Sequence, residues 1–137
     1  MLIKSKKVWS SGQFLPLILE VEDKKITAVH DYDAFDKVDY DFGTNRVLPG
    51  FIDVHTHGAY GYDTNDVNEE GLRNWTKNVV SEGVTSFLPT TITQTEEVLL
   101  KAVANVAKVY EEGYEGAEIL GIHFEGPYLD VEKRGAQ

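Results

Sequence analysis

Three short apolar, β-forming segments recur along this chain, centred near Ile52, Phe87 and Ile122, at an interval of about 35 residues, with a helical pattern filling each gap. A strand, a helix of some fifteen residues and a return strand need about that much chain. Strands joined by helical crossovers of that length pair in parallel. The pattern therefore predicts βαβαβ over residues 48–137. Strands are expected at 51–56, 84–88 and 119–125, and helices at 68–82 and from Thr95 to the stop at Gly113.

The first helix is expected to put Leu72, Trp75, Val79 and Val80 on one side, with Gly83 ending it. In the second, Thr95 stands at the cap position, and Glu96 and Glu97 suit the positive end of the helix. Val98, Leu99, Ala102, Val103, Val106, Val109 and Tyr110 form its apolar stripe. Two architectures fit this alternation, a doubly wound sheet and a (β/α)8 barrel. No glycine-rich phosphate loop follows the first strand, which argues against nucleotide binding.

Residues 1–47 read differently. Segments 3–9, 15–22 and 25–30 are rich in β-formers, and Ser10-Ser11-Gly12 and Glu22-Asp23-Lys24-Lys25 punctuate them as turns. A small β-sandwich-type section is expected there, with His30 on its surface. The chain thus divides into 1–47 and 48–137.

Composition narrows function by exclusion. With 23 acidic against 13 basic side chains the formal net charge is −10, which disfavours nucleic acid and anionic membranes as partners. The chain has no cysteine, so disulfides and thiolate metal sites are excluded. No run approaches membrane-spanning length and the first residues do not read as a secretory signal, so a cytoplasmic location is expected.

Chemistry concentrates at the strand ends. His55 and His57 alternate at the end of the first strand, so both imidazoles face one side, with α-carbons about 7 Å apart. Glu125 closes the third strand and offers hard oxygen ligands. These three are the candidate metal ligands. His123, two residues before Glu125, is expected to share its face as a supporting histidine bonded to a neighbouring carboxylate. Asp53 is expected as a deeper supporting acid. Thr90 and Thr91 are candidate substrate contacts. Glu111, Glu112, Glu115 and Glu118 read as a solvated acidic surface.

The run Pro49-Gly50-Phe51-Ile52-Asp53-Val54-His55-Thr56-His57 resembles the N-terminal signature of the amidohydrolase superfamily. Within it, Ser86-Phe87-Leu88-Pro89-Thr90-Thr91-Ile92, Gly121-Ile122-His123-Phe124-Glu125-Gly126-Pro127-Tyr128-Leu129 and Lys133-Arg134-Gly135-Ala136-Gln137 resemble the N-acetylglucosamine-6-phosphate deacetylase family. The resemblance implies a metal-dependent (β/α)8 barrel of which only the first three strands are present, so the α/β chain reads as a truncated N-terminal fragment. It implies a hydrolase that releases acetate from a phosphorylated amino sugar and uses one or two divalent ions, zinc, iron or similar. Glu125 would ligate, bridging if two ions bind, and His55 and His57 would serve the additional ion. Ala136 and Gln137 match sugar-contacting positions. The proton-shuttling aspartate is expected beyond Gln137, so the fragment alone carries no catalytic residue and is expected to be inactive. The full-length protein is expected to be a homo-oligomer. Two rivals stand beside this reading: another amidohydrolase acting on a cyclic amide or purine, and a non-catalytic metal-binding or assembly module.

Overall fold

A computed structural model of the chain describes residues 1–137, which form two compact units, Met1–Pro49 and Gly50–Gln137. The first unit holds β1 (Leu2–Ser10), β2 (Gln13–Glu22), β3 (Lys25–Asp31), β4 (Tyr40–Asp41) and β5 (Arg46–Val47). β1–β2 and β2–β3 pair antiparallel, while β4 and β5 pair parallel with β1. The β2–β3 connection is two residues long, and Asp23 and Lys24 both take positive φ (48° and 63°), the conformation a tight right-twisted hairpin requires.

This unit is one five-stranded sheet, not the sandwich expected from the sequence. Its core is small, with only Ser5, Val8 and Ile18 buried, too little apolar surface to hold two layers together. His30 is also less bland than expected. Its Nε2 lies 2.7 Å from Glu20 Oε2 on the neighbouring strand, and its ring meets Phe35 edge-on at 5.0 Å.

The second unit contains β6 (Phe51–Thr56), a small hairpin of β7 (Gly58–Ala59) and β8 (Tyr62–Asp63), α1 (Glu69–Val79), β9 (Val84–Thr91), α2 (Glu96–Glu112), β10 (Glu118–Ile119) and β11 (His123–Phe124). β9 is central, with β6 on one side and β10 and β11 on the other, all parallel to it.

Asn68 caps α1 by accepting the Gly71 amide at 3.0 Å, and a 3-10 turn over Val80–Glu82 leads to Gly83, whose φ of 85° stops the helix. That tightened turn rotates Val80 out of the core, where it is 45% exposed, and Thr76 is buried on the helix's inner face in addition to Leu72, Trp75 and Val79. Thr95 stands at the cap of α2 but its side chain makes no capping bond. In α2, Leu99, Ala102, Val106 and Val109 are buried, whereas Tyr110 is exposed and Asn105 is buried in its stead. The acidic segment after α2 is not simply solvated. Glu112 pairs with Arg73 at 2.7 Å and Glu115 with Lys77 at 3.2 Å, linking the end of α2 and the following turn to α1.

Trp75, Phe87, Leu72, Val79, Val106, Val109, Ala117 and Ile119 form the core between both helices and one face of the sheet. The third strand is not continuous as expected. Glu118 and Ile119 align with Ser86 and Phe87, but His123 and Phe124 align with Thr90 and Thr91, so the third strand carries one extra residue. The break holds Gly121 at a φ of 153°, which a side chain rarely tolerates. As a result Ile119 and Ile122 both pack toward the helices, and His123 and Glu125 turn to the opposite side.

One buried polar pair joins the small hairpin to α2: the Asn105 Nδ2 donates to the Tyr62 hydroxyl at 3.3 Å. Burial pushes the Tyr62 phenol up to about 12, against the Asn105 hydrogen bond, with Asp63 and Asp66 adding to the rise. Up to about pH 10 folded and unfolded chains both keep this proton. Between pH 10 and about 12 the unfolded chain releases it and the folded one retains it, so stability falls as pH rises. Denaturant midpoints for the protein and Tyr62→Phe across that window are expected to diverge, the variant losing less. Parallel profiles would contradict the assignment.

Candidate metal centre

β6, β9 and β11 run in the same direction, so their C-terminal ends lie together, and the first and last of them supply one cluster of donors. His55 is the penultimate residue of β6, His57 follows that strand, and Glu125 follows β11. Their ligand atoms all lie within 4.8 Å of one another. Glu125 Oε2 stands 3.1 Å from His55 Nε2 and 3.0 Å from His57 Nε2. Atoms bound at 2.0–2.2 Å around a tetrahedral ion sit about 3.3–3.6 Å apart, so a slight opening of this cluster accommodates one. The centre opens to solvent on one side, with the His55 side chain 47% exposed.

Local hydrogen bonds decide which atoms face inward. The His57 Nδ1 lies 3.1 Å from the Thr90 carbonyl, which can only accept, so the proton is on Nδ1. In the neutral ring this leaves the Nε2 lone pair aimed at the Glu125 carboxylate. A lone pair and a carboxylate repel, and a shared cation removes the repulsion. The residues present therefore fit a bound divalent ion, with the carbonyl as the outer partner that metal-ligating histidines commonly use. His57 is also held from behind: the Thr64 amide and hydroxyl both donate to its carbonyl, at 2.7 and 2.8 Å. Thr64 is fully buried. Gly58 allows the hairpin to close, since a Cβ there would meet the Tyr62 carbonyl oxygen at 1.9 Å.

The supporting residues stand somewhat apart from expectation. His123 packs edge-on against His55, with centroids 4.6 Å apart, but its Nδ1 contacts the Thr90 hydroxyl at 3.4 Å and not a carboxylate. Asp53 accepts the His55 backbone amide at 3.1 Å and touches neither imidazole. Ala136 is exposed at the surface. Gln137 Oε1 accepts the Thr93 amide at 3.1 Å, and the Thr93 hydroxyl donates to the Glu125 carbonyl at 3.1 Å, so Gln137 is tied to the backbone of the candidate ligand. Thr90 and Thr91 are fully buried, and the Thr91 hydroxyl has no partner. Sequence reasoning missed Thr64, which lies in no motif, and read Thr90 only as a candidate substrate contact.

The fold and the site together define a mixed α/β unit in which two imidazoles and a carboxylate that could hold a metal ion converge at parallel strand ends. Residues 46–135 match the amidohydrolase family, and the chain belongs to it. The N-acetylglucosamine-6-phosphate deacetylase of Vibrio furnissii is 37% identical over 84% of this chain and 29% of its own length. The crystal structure of N-acetyl-D-glucosamine-6-phosphate deacetylase from Mycobacterium smegmatis superposes with a TM-score of 0.84 at 28% identity, over 99% of this chain and 38% of that one. A variant of that enzyme in complex with N-acetyl-D-glucosamine-6-phosphate gives 0.82 at 27% identity, over 95% and 33%. The chain thus spans about a third of the length of the proteins it matches. No helix is long and apolar enough to cross a membrane.

Proposed function

We propose that this chain supplies the first three strands of a (β/α)8 barrel and part of the metal centre of an N-acetylglucosamine-6-phosphate deacetylase. The observation that carries the reading is the convergence of His55, His57 and Glu125 on one point, from the ends of the first and third parallel strands, in a chain similar to such deacetylases. The barrel assignment is supported by β6. Its apolar Phe51, Ile52 and Val54 are each at least 60% exposed on a strand with one sheet neighbour, as expected of a strand whose second neighbour comes from later in a closed barrel.

In this reading Glu125, His55 and His57 hold one or two divalent ions of the zinc or iron kind. When bound, the ion supplies Lewis acidity toward an amide carbonyl and acidifies water toward about pH 7. The chain's own residues orient and hold. Thr90 and Thr64 fix the His57 ring and backbone, and His123 and Asp53 support the neighbouring histidine. Ala136 and Gln137 contact the sugar, and the Gln137–Thr93–Glu125 bonds link that contact to the ligand. Water adds to the acetamide carbon, one of its protons passes to the nitrogen as the carbon–nitrogen bond breaks, and the free amine leaves with acetic acid, which ionises to acetate at neutral pH. The proton carrier is not among these residues in this reading. Asp130, one of the acids after Glu125, spends its carboxylate on the Glu132 amide at 2.8 Å. A cytoplasmic, homo-oligomeric enzyme completes the proposal.

The test is release of acetate and free amine from N-acetylglucosamine 6-phosphate by the full-length protein that this chain is proposed to begin, with and without chelator. The 137-residue chain alone is expected to release none. Chelator-sensitive release, restored by zinc or iron, is expected. A metal-loaded protein that hydrolyses a cyclic amide and leaves this sugar untouched would overturn the proposal.

A further inference from the structure

We propose that Thr90 is the positioning residue of the metal centre, its hydroxyl setting the geometry between the His55–His57 strand end and the His123–Glu125 arm. The inference rests on the metal-centre reading above. In a regular ladder the end of β6 would bond to β9 through backbone groups alone. Here Pro89 has no amide to offer, the pairing shifts between Asp53 and Thr56, and side chains take over. The Thr56 amide, between the two histidines, donates to Thr90 Oγ1 at 3.0 Å, and the His57 ring bonds the Thr90 carbonyl.

The hydroxyl has a single proton, and the Leu88 carbonyl at 3.0 Å can only accept, so that proton goes to Leu88. Toward His123 the Thr90 oxygen is then an acceptor, and the His123 Nδ1 carries the proton across their 3.4 Å contact. His123 in turn packs on His55. One fully buried oxygen thus joins the first strand's backbone, the second strand and the third strand's imidazole. Valine at this position keeps the shape and strands the Thr56 amide and the His123 Nδ1. Serine keeps both bonds.

The experiment measures affinity for Zn2+ and the visible spectrum with Co2+ in the intact protein, Thr90→Val and Thr90→Ser, with circular dichroism reporting the fold. Thr90→Val is expected to bind Zn2+ about 10–100-fold more weakly with an altered Co2+ spectrum, and Thr90→Ser to restore both. Thr90→Val that is folded and binds like the unaltered protein overturns this inference and leaves the metal-centre reading standing. An unaltered protein that binds no divalent ion overturns both. Long-range 1H–15N NMR of the metal-free, unaltered protein decides the matter if the valine variant does not fold. The His123 proton is expected on Nδ1, and a neutral ring with its proton on Nε2 overturns the proposal.

Discussion

Glu125→Gln is expected to lower affinity for a divalent ion by more than about 100-fold, beyond the roughly 10–100-fold that losing a supporting hydrogen bond costs. The substitution keeps the side chain's length and one oxygen but removes the only anionic donor of the cluster. Of the three donors that converge here, only His55 and His57 keep their full ligating strength, with ring centroids 5.2 Å apart. Fold should survive, because the new amide can donate to the imidazole nitrogens now facing the carboxylate at 3.0 and 3.1 Å. Titration calorimetry with Zn2+ and a thermal melt separate the two effects. Affinity within tenfold of the unaltered protein would remove Glu125 from the ligand set.

Trp75→Ala is expected to destabilise the second unit by about 3–5 kcal/mol, the usual range for removing a buried large aromatic. Trp75 is 1% exposed, its ring lies 4.5 Å from that of Phe87 in the central strand, and 6.0 Å from that of Tyr62. Truncation would open a cavity between α1 and the sheet that no neighbour can fill without moving the strand. A domain of ordinary stability has about 5–15 kcal/mol to lose, so a sizeable unfolded population should follow. The same change loosens the Tyr62 hairpin, whose continuation Thr64 fixes the His57 carbonyl, so metal affinity should fall in parallel. Urea unfolding followed by circular dichroism measures it, and a loss below about 1 kcal/mol would contradict the packing argument.

Much of this architecture was legible in the residues because it depends on local chemistry. The recurrence of Ile52, Phe87 and Ile122 marks the alternation of strands and helices, and the stops at Gly83 and Gly113 act within a turn of chain, whereas the cap read at Thr95 makes no bond and the one that does form, at Asn68, went unread. The convergence of His55, His57 and Glu125 was legible because their types and their strand-end positions agree. What escaped the sequence depends on contacts made in space. Val80 leaves the core because the helix tightens, Tyr110 lies exposed near the end of α2, and Asn105 is buried where it finds a partner in Tyr62. A threonine in a strand reads as a β-former, so nothing in the order of residues marks Thr64 or Thr90 as holding a histidine. The sandwich expected for residues 1–47 was inferred from β-formers alone, and alternation cannot say whether a second layer exists.

The extra residue near Gly121 gives the third strand two phases. Counted from Ile119 by strict alternation, Glu125 would fall on the helix side, among Trp75 and Val106, where an unpaired carboxylate is strongly disfavoured. Only the offset at the glycine sends it to the histidines. Arithmetic as well as residue type is therefore inherited here. A relative could keep His55, His57, Glu125 and every apolar position, lose a single residue between Ile119 and His123, and have its carboxylate rotated half a turn away from the chemistry. When chains of this kind are aligned, a one-residue gap in that stretch carries more functional weight than several substitutions elsewhere.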